Sequence, residues 1–276
     1  MKGPPPPQPA EVIVHERVST FNISDGTGAS SWSWRVFVGM PSVPAPERGY
    51  STVIAFDGNA TFPILWKARE ATAPDAPVVV VGVGYDTDMM FDMPKRWFDL
   101  TTPHTVRPGA APARGPGDNA TGGRDAMLTV LVDRILPALS ARFPLDTSNM
   151  TLYGHSLGGL FALHTLFTRP CLFNKYAAAD PSMWWNSGDI VPEAAAFLGG
   201  VAAGGGRIEP PIVLDVTASG GWARHTMHGA APHDVVRLVK ESGVTGLKAT
   251  FDAFEDDTHG SLIAKSVERT LRLHLG

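Results

Sequence analysis

The chain has a single cysteine, Cys171, so no disulfide can form within it. That usage fits a reducing compartment without establishing one. It has no apolar run of the roughly 18 residues needed to cross a bilayer. Charge is also scarce: 18% of residues are charged, and the formal net charge is -4. Such a balance gives no pull toward nucleic acid or an acidic membrane, so neither is expected as a partner. Metal and nucleotide signatures are missing too. No HExxH, C-x-x-C or Walker A pattern occurs, and no cofactor or catalytic metal is expected. The start, MKGPPPPQPAEV, lacks the apolar stretch of a secretory signal. A cytoplasmic protein is therefore expected, or a periplasmic one if a leader has been trimmed. Four N-x-S/T sequons, at Asn22, Asn59, Asn119 and Asn149, then read as coincidence.

What is present is a pattern of strands alternating with helices. Residues 1–10 form a proline-rich tail, and 11–276 read as one domain. β-like runs lie around Val12 to Ile23 and in SWRVFVGMP. The runs STVIAF and APVVVVGVGY are apolar without alternation, as suits strands covered on both faces. Helical spacing appears near Phe62 to Ala73, from Arg124 to Phe143, in Asp234 to Ser242 and in Ser261 to Leu275. Pro137 should bend the second of these, because proline removes a backbone donor. The segment 101–123, rich in Pro, Gly, Ala and Thr, is too long for a simple connection and reads as a loop or lid insertion. GGVAAGGG reads as a loop. The implied fold class is α/β, with a mostly parallel central sheet and helices on both faces.

The chemistry gathers around NMTLYGHSLGGLF. Gly154-His155-Ser156-Leu157-Gly158 lies between a predicted strand and a predicted helix, the context of a nucleophile elbow. A serine on that sharp turn faces the developing oxyanion together with the N–H of the next residue, Leu157, and the positive end of the following helix. The glycines two residues to either side avoid collision with the neighbouring strand and helix. A serine also needs a base. Most of the nine histidines fall inside helices or loops with no such role. The elbow turn is expected to carry the His155 ring away from the serine. His259, in DDTHGS after the last strand, follows the nucleophile in the order expected of α/β-hydrolases.

The series VIAFDGNATF, VGVGYDTDMMFDMPKRWFDLTTP, LYGHSLGGLFALHTLFTRP, AAADPSMWW and DTHGS resembles the siderophore-esterase branch of the esterase-D-like α/β-hydrolases. The likeness runs collinearly from about Val12 onward. It implies the α/β-hydrolase fold and hydrolysis of ester bonds in a ferric or apo siderophore through an acyl-enzyme. Any iron would arrive with that small-molecule substrate. Ser156 corresponds to the nucleophile and His259 to the base. The DGN turn corresponds to a second oxyanion segment, in which the N–H of Asn59, or that of Gly58, joins that of Leu157. Arg96 corresponds to a recurrent arginine that would contact anionic substrate oxygens, with an internal Arg96–Asp99 pair as the alternative. Trp184 and Trp185 correspond to aromatic positions close to the cleft. The acid is where the pattern departs, since VTASGGWARH after the next-to-last strand offers no carboxylate. Asp215 lies inside that strand, and Asp256 and Asp257 are very close to His259 in sequence. A Ser–His dyad is therefore the favoured expectation, with Asp180, at the end of KYAAAD, as the acid if there is a triad. Two other readings stay open: a carboxylesterase or acyltransferase for an unrelated ester, and an inactive binding protein of the same fold.

Overall fold

A computed structural model describes residues 8–25, 32–105, 114–220 and 230–276. Its core is one eight-stranded sheet in the order β1-β2-β4-β3-β5-β6-β7-β8. β1 (Val18–Ser24) and β2 (Ser33–Gly39) form an antiparallel edge, and β2 also pairs antiparallel with β4 (Val78–Tyr85). From β4 onward the neighbours β3 (Tyr50–Phe56), β5 (Leu145–His155), β6 (Lys175–Ala179), β7 (Arg207–Ser219) and β8 (Thr245–Phe254) all run parallel. The expected α/β class with a mostly parallel sheet is the observed one. The exposure patterns explain the order. β2 alternates between buried and half-buried residues, whereas every residue of β4 is buried, because helices cover both of its faces.

The helices are α1 (Gly58–Thr72), α2 (Met93–Asp99), α3 (Arg124–Val130), α4 (Leu136–Arg142), α5 (Leu157–Thr168), α6 (Ile190–Ala203), α7 (Pro232–Glu241) and α8 (Leu262–Leu275). Two apolar clusters lie on opposite faces of the sheet strands. The larger joins α5 and α6 to the sheet, and the smaller packs α1 and α8 against it. The bend expected from Pro137 takes the form of a π turn, Leu131–Ile135, where the N–H of Leu136 reaches back to the carbonyl of Leu131. A wider turn accommodates a proline ring that would otherwise meet the carbonyl four residues before it.

Several boundaries differ from expectation. α1 starts at Gly58, directly on the DGN turn, rather than near Phe62. The short helix α2 went unpredicted. It is set by Asp92, whose carboxylate accepts the N–H of Lys95, and by a proline in its first turn. GGVAAGGG is not all loop, since α6 runs on to Ala203, where alanines outweigh two glycines that pack against nothing. The proposed insertion, 101–123, carries one 3₁₀ turn at Pro116–Asp118, and its residues 106–113 lie outside the described residues. Among the described residues no helix is long and apolar enough to cross a membrane.

Candidate active site

The parallel strands deliver the candidate residues from their carboxyl ends, the edge at which open α/β sheets keep their sites. β5 ends at His155, and α5 begins at Leu157. Ser156 alone makes the turn, with φ 60° and ψ -118°, a strained backbone for a residue with a side chain. Backbone bonds hold it there. Its N–H donates to Ala179 O at 2.9 Å, and its carbonyl accepts from Leu160 and Ser182. A Cβ on Gly154 would lie 2.0 Å from the Gly158 carbonyl oxygen, so strand and helix can meet only over a glycine. Gly158 differs from expectation: a Cβ there meets nothing closer than 3.5 Å.

His259 sits in the half-exposed loop between β8 and α8, and its Nδ1 lies 2.6 Å from Asp180 Oδ2. Asp180 directly follows β6, with φ 42° and its N–H on Thr217 O. Ser219 Oγ donates to the same carboxylate at 2.6 Å. Burial pushes the Asp180 carboxyl up, but the hydrogen bonds from His259 and Ser219 outweigh it and bring the pKa to about 2. The imidazole thus has a carboxylate partner, which the favoured dyad did not expect, and Asp180 is the acid candidate that reaches it. The other carboxylates are taken. Asp215 is clamped by Arg269 Nε at 2.6 Å and Nη2 at 2.9 Å. Asp257 accepts from Lys265 at 2.7 Å and from Ser261.

Ser156, Asp180 and His259 line one cavity of about 280 Å³, together with Ser182, Trp184 and Pro232. A larger cavity of about 660 Å³ lies between the N-terminal segment and β1–β2, but its lining holds neither serine nor histidine. Chemistry, not size, picks the site. Ser182 went unnoticed in the sequence. It is buried, with its Oγ 3.3 Å from Ser156 Oγ. Ser219 was missed for the same reason: an isolated serine carries no pattern.

The His155 ring does not line the cavity with Ser156, but it packs behind His259. It is buried with its centroid 4.4 Å from that of His259. Burial, with the nearby His259, drives its pKa down to about 3, so it is neutral at ordinary pH. Among the described residues, His155, Asp180 and His259 form the one group spaced for a metal, with ligand atoms within 4.8 Å of one another.

On the other side of Ser156 stands the DGN turn. Gly58 and Asn59 are the first two residues of α1, and Leu157 is the first of α5, so their N–H groups have no acceptor within their own helices. The Asn59 side chain is buried, accepting from Tyr85 N–H at 2.8 Å and donating to the Tyr85 and Thr87 carbonyls at 3.0 Å each. A folded chain therefore cannot carry a glycan at that sequon. Arg96 pairs with neither Asp99 nor solvent. Its Nε and Nη2 donate to Asp57 at 3.0 and 2.9 Å. Asp99 accepts instead from Trp34 Nε1 at 2.7 Å and Trp32 Nε1 at 3.3 Å, and burial pushes its pKa up to about 6. Of the two tryptophans, Trp184 lines the cavity. Trp185 is fully buried and donates from Nε1 to Thr102 Oγ1 at 2.8 Å.

Comparison with known proteins points the same way. The Esterase family model, described as "Putative esterase", matches residues 28–203. A siderophore enterobactin esterase of Emericella nidulans is 40% identical over 167 residues, 57% of this chain and 54% of that one. The match thus spans about half the length of that relative. The ferri-bacillibactin esterase BesA of Bacillus subtilis is 28% identical over 254 residues, covering 88% of this chain and 85% of that one. Among solved structures, the BES protein of Bacillus cereus superposes with a TM-score of 0.80 at 25% identity, over 96% of this chain and 98% of that one.

Proposed function

The chain belongs to the Esterase family, and from that premise we propose that it is a serine esterase that opens ester bonds of a siderophore through an acyl-enzyme on Ser156. The observation that carries the reading is the hydrogen bond of 2.6 Å that Asp180 accepts from the Nδ1 of a histidine that shares a cavity with a strained elbow serine. The siderophore part rests on the substrates named for the Emericella and Bacillus relatives.

In this proposal His259 takes the Ser156 proton as Oγ attacks the ester carbonyl, and later returns it to the leaving alkoxide. Asp180, ionised at working pH, keeps the proton of His259 on Nδ1, so the other ring nitrogen is free to act as base, and it steadies the imidazolium. The oxyanion is held by the N–H groups of Leu157 and of Asn59 or Gly58; removing one such donor costs about 2.7–4 kcal/mol. Water then attacks the acyl-enzyme with His259 again as base. A cavity of about 280 Å³ admits one ester arm, leaving the rest of a large ligand at the rim beside Trp184. A cytoplasmic setting belongs to the same proposal, since an imported ligand would be opened there.

The test is a panel of ferric and iron-free siderophores alongside simple esters, with hydrolysis followed by mass spectrometry. Faster opening of a siderophore ester than of simple esters supports the reading. Activity confined to simple esters removes the siderophore and leaves an esterase for another substrate.

A further inference from the structure

Asp57 is the hinge of the DGN turn, between β3 and α1, and it adopts φ 54° without being a glycine. Left-handed backbone at such a residue persists where the surroundings over-determine it. Here part of the determinant is local, since Thr61 Oγ1 donates to the Phe56 and Asp57 carbonyls at 2.9 and 3.2 Å, and part is a distant side chain. Both carboxylate oxygens of Asp57 receive donors from Arg96, at 3.0 and 2.9 Å, and both residues are buried, at 3% and 6% exposure. Arg96 comes from α2, 39 residues further along the chain. On its other side the carboxylate lies against the first turn of α5, since a Cβ on Gly158 would sit 3.5 Å from Asp57 Oδ2. One carboxylate therefore stands between a guanidinium and the helix that begins behind Ser156.

An anion so close to the elbow would oppose negative charge building on the substrate. A bidentate guanidinium cancels it and fixes its direction. The same guanidinium is poorly placed for an anionic ligand, because its Nε and Nη2 are spent on Asp57 and it does not line the cavity. We propose that Asp57 and Arg96 form a positioning pair that holds the DGN turn so that its first-turn N–H groups face the oxyanion, with Arg96 acting through Asp57 and never touching substrate. The proposal rests on the esterase reading for its catalytic half.

The test compares wild type with Arg96→Gln, Asp57→Asn and the double variant on a neutral p-nitrophenyl ester and on an anionic catecholate ester. In Arg96→Gln, kcat is expected to fall by about 10- to 100-fold on both esters alike, with KM within about twofold, as for an oxyanion donor moved rather than removed. The rate of labelling by a fluorophosphonate falls in parallel, and amide hydrogen exchange across residues 58–61 speeds up. Should a single variant fail to fold, the double variant buries no unpaired charge and carries the same readings. Unchanged kcat on the neutral ester, with KM raised only for the anionic one, would overturn the proposal and make Arg96 a substrate contact. Unchanged exchange across 58–61 would overturn it as well. A wild-type protein inert toward every ester and toward the fluorophosphonate would sink the esterase reading instead, while exchange would still decide the clamp.

Discussion

Two strand-to-helix turns flank the candidate site, and they are built in opposite ways. The elbow at Ser156 is held through the backbone: its N–H and carbonyl bond to Ala179 and Ser182, at and just past the end of β6, and to Leu160 in its own helix, and a glycine at 154 lets strand and helix touch. The DGN turn at Asp57 is held largely by side chains: Arg96 on α2, the grip of Asn59 on the end of β4, and Thr61 Oγ1 on the Phe56 and Asp57 carbonyls. Both place a residue with a side chain at positive φ, 60° in one and 54° in the other. A turn held through its backbone needs glycine beside it, which a short motif shows. The arginine that grips a turn by its side chain leaves no trace near the turn it serves.

Among substitutions that leave both Ser156 and its base His259 in place, the most damaging we expect is Asp180→Asn. An amide would favour the wrong tautomer of His259, and kcat should fall by about 10³- to 10⁴-fold with the fold intact. An unchanged kcat would return the site to the dyad. Next is Gly154→Ala, whose new methyl group would lie 2.0 Å from the Gly158 carbonyl. We expect about 3 kcal/mol or more of lost stability in urea unfolding, at the upper end for overpacking. On the clamped side, Asn59→Ala should cost about 1–3 kcal/mol, because the N–H of Tyr85 and a carbonyl beside it lose their buried partners. A loss as large as that at Gly154 would mean that the DGN turn matters to the whole fold, not only to its own shape.

Acid should erode the elbow side of this comparison, where β5 carries His155 and meets His274. The folded protein keeps His155 neutral down to a pKa of about 3 and His274 down to about 4, whereas the unfolded chain protonates both below about 6.5. Because the unfolded state then binds more protons, stability should fall as pH drops from 6.5 toward 4, by up to about 1.4 kcal/mol per pH unit for each histidine. His155→Phe should remove one proton's worth of that slope in denaturant titrations between pH 7 and 4.5. The smallest effect belongs to Gly158→Ala, expected to stay within about 0.5 kcal/mol since its methyl group has ordinary room. A large loss there would show that both glycines of the elbow are steric necessities after all.

This contrast also explains what could be read in the chain. The sheet was legible because apolar runs such as VVVVGVGY have one good use, a strand covered on both faces. Ser156 and Leu157 were legible because an elbow concentrates its demands in five residues. His259 followed from its place after the last strand. Asp180 could be named but not chosen, since its bond to His259 spans 79 residues. The Arg96–Asp99 pair, one of the two readings of that arginine, is not formed, for a related reason. Asp99 lies one helical turn away and looked like its partner, yet two indoles hold Asp99 while the guanidinium goes to Asp57. The packing of the His155 ring could not be read from the sequence, because it depends on the loop that later folds over it, the one carrying His259.

The central claim is that Ser156 is a nucleophile activated within this cavity. The direct measurement is intact-protein and peptide mass spectrometry after incubation with a fluorophosphonate, on wild type and Ser156→Ala. We expect one adduct per chain, on the peptide that contains Ser156, and none on Ser156→Ala. An unlabelled wild type, or an adduct that persists in Ser156→Ala, would contradict it.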